Sequence, residues 1–285
     1  MSLRDALNEA TQRLASVSDT PRLDAELLMA HALGLSREAL LLGSRDAPAP
    51  AGFDALVDRR AAHEPIAYIT GTRDFWTISL AVAPGVLIPR PDSETLIEAA
   101  LEYFASPTGN GRGPSSILDL GTGSGALLLA ALSEWPEAHG LGIDASDLAL
   151  EIASANARRL GLTPRVRFAL GDWGAGLSER FDLILCNPPY IELGASLSAD
   201  VIDYEPESAL FAGSDGLDAY RRLIPQLPPL LSPEGAIAVE IGATQAAAVS
   251  DLFVSNGLTP LVRHDLGGRD RAIVHFSLGL VGKGR

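Results

Sequence analysis

The sequence predicts an α/β fold: a mostly parallel sheet with helices on both sides, preceded by a small helical bundle. Three observations predict it. From Ile117 onward, short apolar runs alternate with helical runs, the pattern of parallel strands joined by crossover helices. Several of those runs end abruptly in glycines, carboxylates or prolines, as strands do where they present groups to a ligand. Before residue 72 the apolar residues recur only at helical spacing.

Taken in order, Leu3, Ala6, Leu7, Ala10 and Leu14 mark one face of a first helix. A second runs from Pro21 to Leu33 with Gly34 as its stop. Ser36 caps a third, and Phe53, Leu56, Val57 and Arg60 mark a fourth. Phe75 to Val82 alternates apolar and polar residues, and Pro84-Gly85 is a turn signal before Val86-Leu87-Ile88. A hairpin linker is therefore expected there. Helix 92–104 begins at Asp92 or Ser93 and sets Ile97, Ala100, Leu101 and Phe104 on one face. Strands follow at Ile117–Leu120, Gly140–Ile143, Val166–Leu170, Phe181–Cys186, Ala236–Ile241, Thr259–Asp265 and Ala272–Phe276. The last two, separated by Gly267-Gly268, are close enough to be antiparallel. This divides the chain into a helical domain, 1–72, a hairpin linker, 73–90, and a sheet domain, 91–285.

Composition narrows the function. No uncharged apolar run reaches the roughly twenty residues of a membrane span, and Arg4, Asp5 and Glu9 interrupt the start where a signal peptide would be apolar. A cytoplasmic protein is expected. The single cysteine, Cys186, excludes an internal disulfide or a cysteine-cluster zinc site, and the five histidines show no ligand spacing, so no metal is assigned. The net charge is −14, the opposite of the basic footprint that phosphate binding requires. Direct nucleic-acid and membrane partners are not expected, and a monomer is.

The strand ends carry the chemistry. Asn187-Pro188-Pro189-Tyr190 follows the apolar run Phe181–Cys186. The prolines lack N–H donors and stop the ladder, leaving the Asn187 side-chain oxygen and a backbone carbonyl as fixed acceptors beside an aromatic ring. That suits a planar –NH2 group, although an isolated Asn-Pro-Pro is also a plain strand-to-loop turn. Upstream, Ile117–Leu120 runs into Gly121-Thr122-Gly123-Ser124-Gly125 and then a helix. These glycines permit a tight turn and close ligand approach, but their spacing is not the dinucleotide fingerprint. Asp144 ends the next strand, where a carboxylate can accept both hydroxyls of a ribose. Asp172 and Trp173 end another, positioned for an adenine amine and ring. Asp119 can reach an ammonium.

These residues resemble the class I S-adenosylmethionine-dependent methyltransferases, with Asp119-Leu-Gly-Thr-Gly-Ser-Gly125 as the glycine motif. The strings Leu87-Ile-Pro-Arg-Pro-Asp-Ser-Glu94, Asn187-Pro-Pro-Tyr190, Tyr204-Glu-Pro206 and Ala209-Leu-Phe211 are similar, more narrowly, to the peptide chain release factor glutamine methyltransferases (HemK/PrmC family). Arg22–Leu28 and Pro65–Gly71 extend the resemblance to the amino-terminal region. Ser93 departs from the family, which usually has Thr there, but keeps a hydroxyl.

The resemblance implies a Rossmann-like, seven-stranded sheet and S-adenosylmethionine as methyl donor, with S-adenosylhomocysteine as product. It also implies transfer to the N5 amide of the glutamine in the Gly-Gly-Gln motif of class I release factors, recognised by the helical domain. Asn187, Pro188 and Tyr190 would then be catalytic, and Asn187, Pro188, Pro189, Tyr190, Arg90 and Glu94 would bind substrate. Asp119, Gly121, Thr122, Gly123, Ser124, Gly125, Asp144, Asp172, Trp173 and Asn187 would bind the cofactor. The same acceptor turn would serve an adenine-specific DNA N6-methyltransferase, but the acidic charge, the helical amino-terminal domain and the Pro-Arg-Pro string disfavour it.

Overall fold

Helix starts and stops in the amino-terminal region follow local capping chemistry. In the computed structural model, which describes residues 1–43, 46–106 and 111–277, helix α1 spans Leu3–Leu14. The Ser2 side chain accepts from the Asp5 amide at its start. Helix α2, Pro21–Leu33, opens on proline and stops at Gly34, which adopts φ +66°. Ser36 caps α3, Arg37–Leu42, and α4 and α5 cover Phe53–Ala61 and Ile66–Thr70. Leu7, Leu14, Leu28, Met29, Phe53 and Val57 are fully enclosed in a core of their own.

Met1–Thr72, Val82–Pro84 and Leu197–Glu205 form one structural unit. Leu197–Glu205 was not foreseen as part of it. Within this unit Arg60 donates to Asp24 at 2.8 Å and lies 3.8 Å from Asp200, while the Tyr204 hydroxyl donates to the Ala62 carbonyl at 2.8 Å. These contacts join residues far apart in sequence.

The second unit comprises Arg73–Ala81, Gly85–Ser196 and the chain from Pro206 onward. Its hairpin is β1, Thr72–Phe75, and β2, Ile78–Ala81. The turn therefore falls at Trp76-Thr77 and not at the expected Pro84-Gly85, and Val86–Ile88 is irregular. Trp76 makes the turn with φ +53°, a conformation that bulky residues rarely adopt. It is held there because its amide donates to Glu94 at 2.8 Å and its indole to Glu134 at 2.6 Å. A short 3₁₀ turn, Pro91–Ser93, then leads into α6, Glu94–Ala105.

Beyond α6 the chain alternates as expected: β3 Ser116–Leu120, α7 Ala126–Glu134, β4 His139–Asp144, α8 Asp147–Arg159, β5 Val166–Leu170 and β6 Phe181–Cys186. Then come β7 Leu231–Glu240, β8 Leu261–His264 and β9 Asp270–Phe276. The seven-stranded order is β5-β4-β3-β6-β7-β9-β8. The first five are parallel, while β9 is antiparallel to both neighbours. Along β6, Leu183 and Leu185 enter one helix-covered core, and Ile184 and Cys186 enter the other, the period of two that a doubly covered sheet imposes. Because the chain leaves β3 toward β4 on one side and returns to β6 on the other, a crevice opens at the carboxyl ends of these strands. Among the described residues no helix is long and apolar enough to cross a membrane.

The side chains of Arg60 and Asp24 are 8% and 9% exposed. Asp24→Ala leaves that guanidinium buried beside fewer acceptors, and urea unfolding should report a loss of about 3 kcal/mol.

Candidate active site

The crevice holds a cavity of about 720 Å³ within the second unit. Asp119, Gly121, Thr122, Gly123 and Ser124 line it from the end of β3, and Asp144 from the end of β4. Asp172 and Trp173 follow β5, and Asn187 and Pro189 follow β6. Gly125, Pro188, Tyr190, Arg90 and Glu94 are not in its wall.

The glycine turn is folded onto β4. The amides of Gly121 and Thr122 both donate to the Ile143 carbonyl, at 2.8 and 2.9 Å, and the Gly123 amide donates to Asp144 Oδ2 at 2.8 Å. Gly121 has φ +73°, and a Cβ there would lie 3.2 Å from the Trp173 ring and 4.0 Å from the Asn187 carbonyl oxygen. Three strand ends thus meet at a point where only glycine fits. Gly125 caps α7 at φ +84°, and a Cβ would press on Leu129 at 2.9 Å. It shapes the helix start from behind the cavity wall.

Asp119 is 1% exposed. Its Oδ2 accepts from the Thr122 hydroxyl at 2.6 Å, whereas Oδ1 has no hydrogen-bond partner among the described residues. Burial pushes its pKa up to about 7, with the Asp144 charge adding to the rise and Thr122 opposing it. Asp119 is in the cavity wall, and a buried acceptor with one empty oxygen is incomplete without a donor.

Asp144 is already bonded at both oxygens, to the amides of Gly123 and of Ser146 at 2.8 and 2.9 Å. Each oxygen retains a second lone pair for a hydroxyl. Asp172, expected to accept from an adenine amine, accepts at both oxygens from Arg222 Nη2, at 2.8 and 2.7 Å, on an exposed rim. Arg222 also lines the cavity, and nothing in its local sequence marked it.

Asn187 donates its side-chain Nδ2 to the Ser93 hydroxyl oxygen at 3.1 Å. Its Oδ1 is thereby left as the acceptor of this carboxamide. Tyr190 packs against the core, and its hydroxyl donates to Glu240 Oε1 at 3.2 Å. Burial, then the neighbouring Glu240 charge, raise the Tyr190 pKa. The Tyr190 carbonyl accepts from Gln245 Nε2 at 2.9 Å, which fixes the turn from behind. Ser93, Glu240 and Gln245 were not among the sequence-predicted site residues; for Ser93 the signal was its hydroxyl within the Pro-Arg-Pro-Asp-Ser string. Arg90 donates to the Ile88 carbonyl at 3.0 Å, and Glu94 holds the Trp76 turn. Burial lifts the Cys186 thiol well above its usual range, as befits a core residue.

The family profile described as the PrmC N-terminal domain matches residues 5–71, and that of a methyltransferase domain matches residues 114–258. The release factor glutamine methyltransferase of Rhodospirillum rubrum is 45% identical over 262 residues, covering 90% of this chain and 79% of that protein. That of Moorella thermoacetica is 44% identical, covering 97% of this chain and 99% of the relative. The chain belongs to the release factor glutamine methyltransferase family.

Solved structures agree on the fold of this family member. The hMettl16 catalytic domain in complex with an RNA hairpin superposes with a TM-score of 0.55 at 16% identity, covering 78% of this chain and 82% of its own. The 16S rRNA N2 G1207 methyltransferase of Thermus thermophilus, in complex with AdoMet and guanosine, gives 0.51 at 19% identity, covering 72% of this chain and 49% of that one.

The raised pKa of Asp119 has a consequence for stability. The folded state holds a proton that the unfolded chain has released between the ordinary value of 3.8 and about 7, so this group stabilises the fold at low pH and the contribution is lost as pH rises through that window. Thermal unfolding of Asp119→Asn from about pH 4 to about pH 8 should show a flatter decline than the unmodified protein.

Proposed function

We propose that this chain methylates the N5 side-chain amide of the glutamine in the Gly-Gly-Gln motif of class I release factors, with S-adenosylmethionine as donor. The observation that carries it is the Asn187 carboxamide, which lines the cavity with its nitrogen tied to Ser93 and its oxygen left to accept. Relatives that are named as glutamine methyltransferases and match nearly the whole chain support the substrate assignment.

A carboxamide nitrogen is a poor nucleophile because its lone pair is delocalised into its carbonyl. Orientation and lone-pair release are what the enzyme must supply. The Asn187 oxygen and the Pro188 carbonyl, which sits between the wall residues Asn187 and Pro189, accept the two hydrogens of the substrate amide, turning the nitrogen into line and favouring a pyramidal geometry. Alignment of this kind contributes roughly 7 to 11 kcal/mol. The same acceptors stabilise the positive charge that develops on nitrogen. The alkylated amide then loses its proton to water without a dedicated base, so the lack of a histidine beside Asn187 poses no difficulty.

S-adenosylmethionine, when bound, supplies an electrophilic methyl on a sulfonium. The Asp119 oxygen fits its ammonium, Asp144 its ribose hydroxyls, and Trp173 with Asp172 its adenine; Arg222 must share or yield Asp172. The helical unit, including Leu197–Glu205, recognises the release factor, a protein substrate that suits a chain of net charge −14.

Purified protein should transfer a labelled methyl group to the Gly-Gly-Gln glutamine, located by mass spectrometry. Asn187→Ala should abolish turnover while cofactor affinity largely survives. Labelling of DNA with none on a release factor would overturn the proposal.

Asp144→Ala removes a charged acceptor of hydroxyls, a loss of about 1.5–3 kcal/mol. Calorimetry should therefore find S-adenosylmethionine bound about 10- to 100-fold more weakly, and unchanged affinity would remove Asp144 from the site.

A further inference from the structure

Behind the Asn-Pro-Pro turn lies a second buried carboxylate. Glu240, the last residue of β7, is 1% exposed and sits one strand over from β6. Its Oε1 accepts from the Tyr190 hydroxyl, while Oε2 has no hydrogen-bond partner among the described residues. The Ser93 hydroxyl faces this carboxylate and favours its charged form. Ser93 is also the residue that accepts from the Asn187 amide.

We propose that Glu240 is a positioning residue for methyl transfer: its carboxylate fixes the direction of the hydrogen bonds running Asn187 to Ser93 to Glu240, and so keeps the Asn187 oxygen turned toward the substrate. The proposal rests on the reading of Asn187 as the acceptor for the substrate amide. A hydroxyl has one proton to donate. A carboxylate only accepts, so it draws the Ser93 proton to itself and leaves Ser93 able only to accept from Asn187. The –NH2 end of the carboxamide alone can answer that demand. The two flipped states of an Asn amide have nearly the same shape, so sterics do not choose between them. Where Glu240 is replaced by an amide or is protonated, it can donate to Ser93; Ser93 then donates to the Asn187 oxygen, and the amide turns its N–H groups toward those of the incoming glutamine.

The carboxylate is tuned by groups from every element around it. Asp92 and Ser93 face it from the 3₁₀ turn, Cys186 and Tyr190 from β6 and its turn, Arg271 from β9, and Tyr220 from helix Asp218–Leu223. Burial raises its pKa to about 7, against the pull of Ser93, Arg271 and Tyr190. Turnover therefore rises as pH climbs through that value.

The test is Glu240→Gln in the full chain. We expect kcat on a release factor to fall about 100-fold, S-adenosylmethionine affinity to hold within about twofold, and the pH dependence near neutrality to vanish. Ser93→Ala should reproduce the loss should Glu240→Gln not fold, and Ser93→Thr, which keeps the hydroxyl, should recover turnover relative to Ser93→Ala. The decisive readout needs no substrate: the ¹H–¹⁵N signals of the Asn187 side-chain amide should move in Glu240→Gln bound to S-adenosylhomocysteine. Unmoved Asn187 signals overturn the inference. Moved signals in a protein that leaves release factors unlabelled uphold it and overturn only the proposed substrate.

Discussion

The site depends on one constraint, the reversal of chain direction on either side of β3. A strand with parallel neighbours on both sides has its ladder fully used and both faces covered, so its carboxyl end is the one place where backbone and side-chain polar groups emerge together. Here that end must also turn within the width of one glycine. The Ile143 carbonyl accepts two amides from the turn, and Trp173 and the Asn187 carbonyl close on Gly121 from the far side. A side chain at Gly121 would be strained at φ +73° and would press on the Trp173 ring.

Much of this was legible in the sequence because it is local. Apolar runs of strand length, several of them ended by glycine, carboxylate or proline, mark all seven strands and the antiparallel pair, with β7 starting earlier and β8 trimmed at both ends. The residues lining the cavity from β3, β4 and β6 follow directly from where those runs stop. The hairpin was misplaced because its turn is made by Trp76 in a left-handed conformation, which carries no compositional signal, whereas Pro84-Gly85 carries a strong one. The two hydrogen bonds that hold Trp76 come from Glu94 and Glu134, on later helices.

Long-range pairing accounts for the other gaps. The sequence reading of Asp172 as an acceptor for an adenine amine carries no sign of its pairing with Arg222, and Leu197–Glu205 is read as a loop of the sheet domain until Asp200 and Tyr204 are seen against Arg60 and Ala62. Ser93 was visible as a hydroxyl and helix start, but its partners Asn187 and Glu240 lie on different strands. Periodicity identifies faces; it does not say which side chains meet across them.

The two buried carboxylates, Asp119 and Glu240, show how the fold divides its polar demands. Each is 1% exposed, each has one oxygen without a partner, and burial raises each to a pKa of about 7. Desolvating such groups is costly unless a partner answers them. Asp119 is part of the cavity wall, so in the proposed function its partner is supplied by the ligand. Glu240 lies outside that wall, where Tyr190 and Ser93 and the charge of Arg271 favour its ionised form without any ligand. Its surroundings are therefore complete before substrate arrives, as the proposed orientation of Asn187 requires. The two carboxylates thus share burial and differ in surroundings: Asp119 belongs to the cavity wall and Glu240 does not.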